Sequence, residues 1–140
     1  MLAAVNRETG IDLQVLSGAD EARFTFLAVR RWVGWSAGDV LLLDIGGGSL
    51  EIALGVDENP EATLSLPLGA ARLTRDFLSG DPYNSKGVKF LEEFVSSKLE
   101  DELPAILRAH DANRFVATSK TFRTLARLSG HMFNENPKYL

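Results

Sequence analysis

Apolar residues recur at helical spacing near the start of the chain and predict two helices. One covers residues 3–9 and ends at Gly10, a common residue at helix C-termini. The other begins after Ser17, which is followed three residues later by an aspartate, and runs to about Trp32. Its expected buried stripe is Ala22, Phe26, Val29 and Val33. Between the two helices, residues 12–16 alternate apolar and polar side chains and predict a short strand.

The next stretch predicts three strands joined by turns. Residues 40–43 are apolar at every position, which is typical of a strand buried on both faces of an α/β sheet. Residues 49–56 alternate, so Ser49 and Glu51 face away from the more apolar side. A third run over 62–68 also alternates, and residues typical of turns separate it from the second run.

Helices and one more strand are predicted for the second half of the chain. Helical spacing indicates helices over about 69–78 and from about 85 to 103. Residues 114–117 predict the fourth strand, and Ser119 is expected to cap a last helix. The side chains of that helix expected to face inward are Phe122, Leu125 and Ala126. The resulting order β-β-β-α-β-α indicates the α/β class.

Composition narrows the class of protein further. A length of 140 residues suits one ordinary domain, and a net charge of −4 argues against a protein that coats nucleic acid. The sequence has no cysteine, which excludes disulfides and thiolate metal sites. Neither His110 nor His131 has a metal-ligand neighbour at helical spacing, and His110 is expected at the surface.

The hydrophobicity pattern of the sequence indicates no targeting segment. No apolar run reaches the roughly 20 residues that a membrane-spanning helix needs. Residues 1–8 are too polar for a signal peptide. We therefore expect a cytoplasmic protein with neither a nucleic acid nor a membrane as its partner.

Three consecutive glycines, Gly46, Gly47 and Gly48, follow the first strand directly. One interpretation is a hairpin turn that needs positive φ angles, which glycine adopts easily. The other is an anion site, because a turn without side chains lets a phosphate approach successive backbone N–H groups. A P-loop or a dinucleotide-binding loop leads into a helix, whereas these glycines lead into a strand. Both interpretations stay open on the turn alone.

Two carboxylates, Asp44 and Glu51, bracket the glycine turn. A carboxylate at the end of a buried strand is costly unless it is paired or binds a metal. Magnesium usually takes one or two carboxylates and fills its other positions with water and phosphate oxygens. The alternative is an aspartate that caps backbone N–H groups and a solvated glutamate.

Residues 43–51, with the sequence Leu-Asp-Ile-Gly-Gly-Gly-Ser-Leu-Glu, resemble a phosphate-binding segment of a known family. This is the exopolyphosphatase and guanosine-pentaphosphate phosphatase (Ppx/GppA) family, within the actin-like ATPase superfamily. Three further segments follow the family's order. Residues 16–23 resemble the segment that carries the family's catalytic glutamate. Residues 66–73 resemble a strand-to-helix junction of the family, and residues 117–123 resemble a later helix start near the phosphates.

The resemblance implies an actin-like, ribonuclease H-like lobe with a mixed sheet, preceded by a short αβα piece of a first lobe. It implies magnesium-dependent hydrolysis of terminal phosphoanhydride bonds in polyphosphate or guanosine pentaphosphate, with Glu21 as the general base that activates water. Asp44 and Glu51 would hold Mg²⁺. The implied phosphate-binding residues are Gly46, Gly47, Gly48, Ser49, Arg72 and Lys120.

For the charged residues among these, a purely structural role also stays open. A glutamate in the first turn of a helix interacts favourably with the helix dipole, which would account for Glu21 without any chemistry. Arg72 and Lys120 are equally consistent with solvated surface charges. Lys120 stands where many relatives carry glycine, so it would offer a charge, rather than a bare backbone, to a substrate at a helix N-terminus.

Family members also carry a first phosphate loop of the Asp-x-Gly-Ser-Asn type, and no such segment precedes Glu21. We therefore expect a fragment, with residues 1–36 as the C-terminal part of the first lobe and 37–140 as most of the second. Such a piece alone should be inactive or nearly so, because phosphoryl transfer depends on positioning by both lobes. A kinase or ATPase of the same superfamily, a non-catalytic module that binds polyphosphate or a nucleotide, and a homodimeric assembly stay open.

Overall fold

The computed structural model of the protein describes residues 2–109 and 111–130. Its helices and strands are α1 (Leu2–Thr9), α2 (Gly18–Val33), β1 (Val40–Ile45), β2 (Leu50–Gly55), β3 (Ala62–Leu66), α3 (Ala70–Phe77), α4 (Ser85–Glu102), α5 (Ala105–Ala109), β4 (Arg114–Thr118) and α6 (Ser119–Leu128). The expectation for His110 and the part of the second lobe assigned to 131–140 lie outside the described residues. Among the helices of the described ranges, none combines the length and the apolar character that crossing a bilayer requires.

The strands form one mixed sheet in the order β3-β2-β1-β4. β2 pairs antiparallel with both β1 and β3, whereas β4 pairs parallel with β1. β3 and β4 form opposite edges of the sheet, and the chain crosses from one edge to the other through α3, α4 and α5. The predicted α/β class with a mixed sheet is confirmed.

Helices cover both faces of the sheet, which explains why β1 is apolar at consecutive positions. The buried residues on the α2 face of the sheet are Phe26, Val29, Ala37, Val40, Leu42 and Ala53. Those on the opposite face are Leu50, Ile52, Leu66 and Leu68, and side chains of α4 such as Phe94, Val95 and Leu99 pack against them. The stripe predicted for α2 is confirmed, with Ala22, Phe26 and Val29 buried and Val33 partly buried.

Helix α2 begins and ends at the residues that its sequence indicates. Ser17 adopts an extended backbone, and its hydroxyl oxygen accepts a hydrogen bond from the Asp20 N–H at 3.1 Å. This contact satisfies one of the N–H groups that a helix start leaves free. The helix ends at Gly34, whose φ of 77° favours glycine. Ala22 and Phe26 are fully buried, and Glu21, which directly precedes Ala22, lies in the first turn of α2.

The strand predicted over 12–16 is wrong. Residues 10–17 have no regular structure, and no strand in the described ranges pairs with them. Leu13 and Val15 are exposed, Val15 at 71%. An alternating pattern describes the two faces of a strand, but a strand also needs a neighbour to satisfy its backbone N–H and C=O groups.

The start and the packing of α6 also differ from expectation. Thr118 occupies the N-cap position, and Ser119 is the first helical residue with a φ of 86°, unusual for a residue other than glycine. Leu125, expected to face inward, is 51% exposed. The division into two lobes near Ser36 remains a prediction, and α2 from the first piece shares a core with the sheet of the second.

Candidate functional site

A row of polar side chains crosses all four strands at one register. Asp44 of β1 lies opposite Glu51 of β2 and beside Thr118 of β4, and Glu51 lies opposite Ser65 of β3. Side chains at paired positions point to the same face of a sheet. That face is the α2 face, because a Cβ atom added to Gly18 at the start of α2 would overlap the Ser65 hydroxyl.

Hydroxyl groups hold both carboxylates of the polar row. The Thr118 hydroxyl donates to Asp44 Oδ2 at 2.7 Å, and the Ser65 hydroxyl donates to Glu51 Oε1 at 3.0 Å. Glu51 is only 6% exposed. No lysine or arginine within the described ranges forms an ion pair with either carboxylate. Buried carboxylates in proteins are usually paired with a cation or coordinate a metal, and no such cation lies beside Asp44 or Glu51 within the described ranges.

The glycine turn leaves backbone donors free. Within the turn, the Gly46 N–H donates to the Ser49 carbonyl at 2.9 Å. The N–H groups of Gly47, Gly48 and Ser49 have no acceptor in the part of the chain that the structure describes. All four residues line one cavity, so these free donors can serve an anion within it.

The glycine turn is a hairpin between β1 and β2, but its glycines do not adopt the positive φ angles that the hairpin interpretation requires. None of Gly46, Gly47 and Gly48 has a positive φ. A Cβ atom would meet nothing within 4 Å at Gly48, and only ordinary contacts of 3.6 Å and 3.9 Å at Gly46 and Gly47. Among the described residues, neither backbone conformation nor packing therefore requires glycine at these positions. The absence of side chains leaves the backbone of Gly46, Gly47 and Gly48 open to close approach from the cavity.

Hydrogen bonds from the start of α3 fix the position of the glycine turn. The Ala70 N–H donates to the Gly46 carbonyl at 2.9 Å, and the Arg72 N–H donates to the Gly47 carbonyl at 3.0 Å. Arg72 Nε donates to the Gly48 carbonyl at 2.9 Å. The carbonyl groups of the turn are thus bound to α3, which leaves its N–H groups for the cavity.

Gly69 makes this support possible, and its replacement tests it. A Cβ atom at Gly69 would overlap the backbone of Gly48 and Ser49. We expect Gly69→Ala to lower the free energy of unfolding by about 1–3 kcal/mol, as measured by denaturant unfolding. Gly48→Ala is the matched comparison: its Cβ meets no protein atom, so the free energy of unfolding should stay within about 0.5 kcal/mol. A Gly69→Ala protein as stable as the native one would contradict the close packing.

The cavity in front of the turn has a volume of about 490 Å³ and brings most of the predicted site residues together. It is lined by Leu16, Glu21, Phe24, Thr25, Asp44, Gly46, Gly47, Gly48, Ser49 and Glu51. Glu21 reaches it from α2, and its carboxylate has no ion pair or hydrogen bond within the described ranges. Arg72 and Lys120 are exposed and do not line this cavity.

The donor set fits a magnesium ion better than a metal that needs many protein ligands. No group of three or more histidine, cysteine, aspartate or glutamate side chains suited to a metal occurs among the residues with described positions. Magnesium needs only one or two carboxylates, because it keeps several waters and binds phosphate oxygens. Asp44 and Glu51 supply such a pair, and Thr118 and Ser65 orient them as outer-shell partners commonly do.

Sequence reasoning missed several residues of this site. Thr118 and Ser65 support the carboxylates, Thr25 lines the cavity, and Gly18 and Gly69 allow close backbone packing. Ser65 could have been found from the sequence, because antiparallel pairing of the strands predicted over 49–56 and 62–68 places it opposite Glu51. Residues 117–123 were expected near the phosphates, but the bond from Thr118 to Asp44 depends on the pairing of β1 with β4, which are distant in sequence.

The mixed sheet, covered by helices on both faces and with a cavity at its glycine turn, defines an α/β lobe. A family model described as the Ppx/GppA phosphatase family matches residues 1–138. Exopolyphosphatase 1 of Mycobacterium leprae is 58% identical over 130 residues, which is 93% of this chain and 38% of that protein. The chain belongs to the Ppx/GppA phosphatase family.

Solved structures agree with this assignment. A crystal structure of the Ppx/GppA family member from Aquifex aeolicus matches with a TM-score of 0.70 and 29% identity, over 99% of this chain and 43% of that one. The actin-like fold expected from the resemblance is confirmed. A guanosine-5'-triphosphate,3'-diphosphate pyrophosphatase of Pseudoalteromonas atlantica is 38% identical over 69 residues, 49% of this chain and 14% of that protein. The chain thus spans less than half the length of these relatives.

Proposed function

We propose that this chain supplies the phosphate-binding and metal-binding part of a magnesium-dependent hydrolase. The enzyme would cleave terminal phosphoanhydride bonds of inorganic polyphosphate or guanosine pentaphosphate. One observation carries the proposal: the free N–H groups of the glycine turn, the carboxylate pair and Glu21 all open into the same cavity. The names of the relatives, an exopolyphosphatase and a guanosine-pentaphosphate pyrophosphatase, support this class of substrate.

The glycine turn binds the end of the phosphate chain in this proposal. The N–H groups of Gly47, Gly48 and Ser49 donate to oxygens of the terminal phosphates, and no side chain of the turn stands in the way. Because α3 fixes the turn, these donors need no rearrangement when negative charge shifts during the reaction. Preorganised donors of this kind stabilise a transition state more than flexible ones.

Glu21 acts as the general base. Its carboxylate reaches the cavity from α2 and has no cation or hydrogen-bond donor to neutralise it within the described ranges. It accepts a proton from a water molecule, and the water oxygen forms a bond to the terminal phosphorus. The bond from that phosphorus to the bridging oxygen breaks, so the products are orthophosphate and a chain shorter by one phosphate.

Asp44 and Glu51 are the residues that would hold magnesium. When bound, the ion supplies positive charge to the phosphate oxygens. The chain's own contribution is to present both carboxylates on one face of the sheet, at paired positions of β1 and β2. The Thr118 and Ser65 hydroxyls keep one oxygen of each carboxylate engaged and leave the other oxygen for the ion.

An assay on the full-length protein tests the proposal. Polyphosphate, guanosine pentaphosphate and ATP with a sugar acceptor are each incubated with and without magnesium, and released orthophosphate is measured. We expect orthophosphate from polyphosphate or guanosine pentaphosphate only when magnesium is present. Transfer of phosphate from ATP to the sugar would instead indicate a kinase. Tight binding of polyphosphate without turnover would indicate a non-catalytic module.

A further inference from the structure

The last turns of α2 contain an arginine that is buried without a counter-ion. Arg30 is 1% exposed, and no aspartate or glutamate in the described ranges forms an ion pair with it. Its Nε atom has no hydrogen-bond partner among the residues that the structure describes. Burying a charge in this way lowers stability, and an apolar residue of similar volume is often as good or better for the fold alone. Arg30 therefore calls for a role beyond core packing.

The hydrogen bonds of Arg30 connect α2 to the turn that leads into β1. Nη1 donates to the Gly38 carbonyl at 2.7 Å, and Nη2 donates to the Trp35 carbonyl at 2.9 Å. The guanidinium also lies 5.1 Å from the centre of the Trp35 ring. Gly34 and Gly38, at the two ends of this turn, have φ angles of 77° and 65°. A turn with a glycine at each end is easily deformed, so the two bonds of Arg30 restrain it.

Arg30 fixes the C-terminal end of α2 to this turn, and the N-terminal end of α2 carries Glu21 to the cavity. Arg30 lies nine residues from Glu21, or about 14 Å along the helix. A tilt of roughly 5° at the Arg30 end of α2 therefore moves Glu21 by about 1 Å. The glycine turn is bonded to α3 and not to α2, so such a tilt leaves the phosphate donors in place.

We propose that Arg30 is a positioning residue that holds Glu21 at its working distance from the bound phosphate. The proposal rests on the function proposed above, in which Glu21 is the base. In this proposal α2 carries the base, whereas the sheet and its glycine turn carry the groups that bind phosphate and metal. Loss of Arg30 should lower kcat and leave KM nearly unchanged.

Arg30→Met in the full-length protein is the first test. We expect kcat for orthophosphate release from polyphosphate to fall about tenfold to a hundredfold, the range that a misplacement near 1 Å produces, with KM within about twofold. Arg31→Met is the matched control. Arg31 is exposed and pairs with Glu58 at 2.8 Å, a hydrogen bond that lowers the pKa of the Glu58 carboxyl and raises the pKa of Arg31. Both kinetic constants should be unchanged in this control.

A double variant separates positioning from a general loss of structure. In a Glu21→Gln background, Arg30→Met should have almost no further effect on kcat, because the group that Arg30 positions is already gone. Equal losses in both backgrounds, or a rise in KM that accounts for the loss, would overturn the proposal. Arg30→Lys serves the same comparison if the methionine variant does not fold, since lysine keeps the charge but not the planar fork that reaches two carbonyls.

The two proposals fail in different ways. If Glu21→Gln alone retains the native rate, the base assignment in the proposed function is wrong, and the role of Arg30 is rejected with it. If Glu21→Gln is inactive while Arg30→Met is fully active, the proposed function stands and only the positioning role is rejected.

Discussion

Replacing Glu21 by glutamine should lower kcat for orthophosphate release by roughly 10²- to 10⁴-fold, the usual contribution of a positioned general base. Glutamine has the same shape but cannot take a proton from water at neutral pH. KM should stay within about twofold, because the groups that bind phosphate belong to the glycine turn and not to α2. Steady-state release of orthophosphate from polyphosphate at saturating magnesium gives both constants.

The neighbouring aspartate provides the control for this variant. Asp20 lies in the same first turn of α2, accepts a hydrogen bond from the Ser17 hydroxyl and pairs with Arg23 at 3.6 Å. It does not line the cavity. Asp20→Asn should therefore leave kcat nearly unchanged. A Glu21→Gln protein that hydrolyses polyphosphate at the native rate would show that another group, or no protein group, accepts the proton.

Replacing Glu51 by glutamine should weaken magnesium binding and thereby lower orthophosphate release at a given magnesium concentration. Loss of an outer-shell partner alone commonly weakens metal binding by roughly 10- to 100-fold, so loss of a direct ligand should raise the magnesium concentration for half-maximal activity by at least about 100-fold. Titration of orthophosphate release with magnesium measures this change. Asp44→Asn should behave in the same direction, since Asp44 is the other carboxylate of the pair.

The free energy of unfolding of Glu51→Gln and the magnesium affinity of a milder variant distinguish loss of a metal ligand from misfolding. Glu51 is buried and has no cationic partner among the described residues, so removing its charge should leave the free energy of unfolding in EDTA unchanged or higher. Ser65→Ala removes only the hydroxyl that donates to Glu51 and should cause a smaller loss of magnesium affinity. A Glu51→Gln protein with native magnesium dependence would rule out this carboxylate as a ligand.

The elements with strong local patterns could be predicted from sequence, and those that depend on distant partners could not. The unbroken apolar run of β1 predicted a strand covered on both faces, and helices do cover both. The alternating pattern of 12–16 predicted a strand, yet no strand in the described ranges pairs with it. Periodicity describes which way side chains point, whereas pairing depends on residues elsewhere in the chain.

The same distinction applies to the candidate site. Asp44 and Glu51 could be named from their places beside the turn. The hydroxyl that holds Asp44 belongs to Thr118, 74 residues later in the chain, and only the parallel pairing of β1 and β4 brings the two together. The sequence left two interpretations of the three glycines open, and only the structure shows that their φ angles are not positive and that the space at Gly48 is open.

The row formed by Thr118, Asp44, Glu51 and Ser65 has a consequence for how the sheet folds. A shift of one residue between two strands moves every side chain to the opposite face. For β1 or β2, that shift would place a carboxylate in the apolar layer beneath α4, where no hydroxyl of the row could reach it. Misaligned sheets are therefore penalised by the same charges proposed to hold magnesium, so correct strand alignment and metal binding depend on a single set of residues.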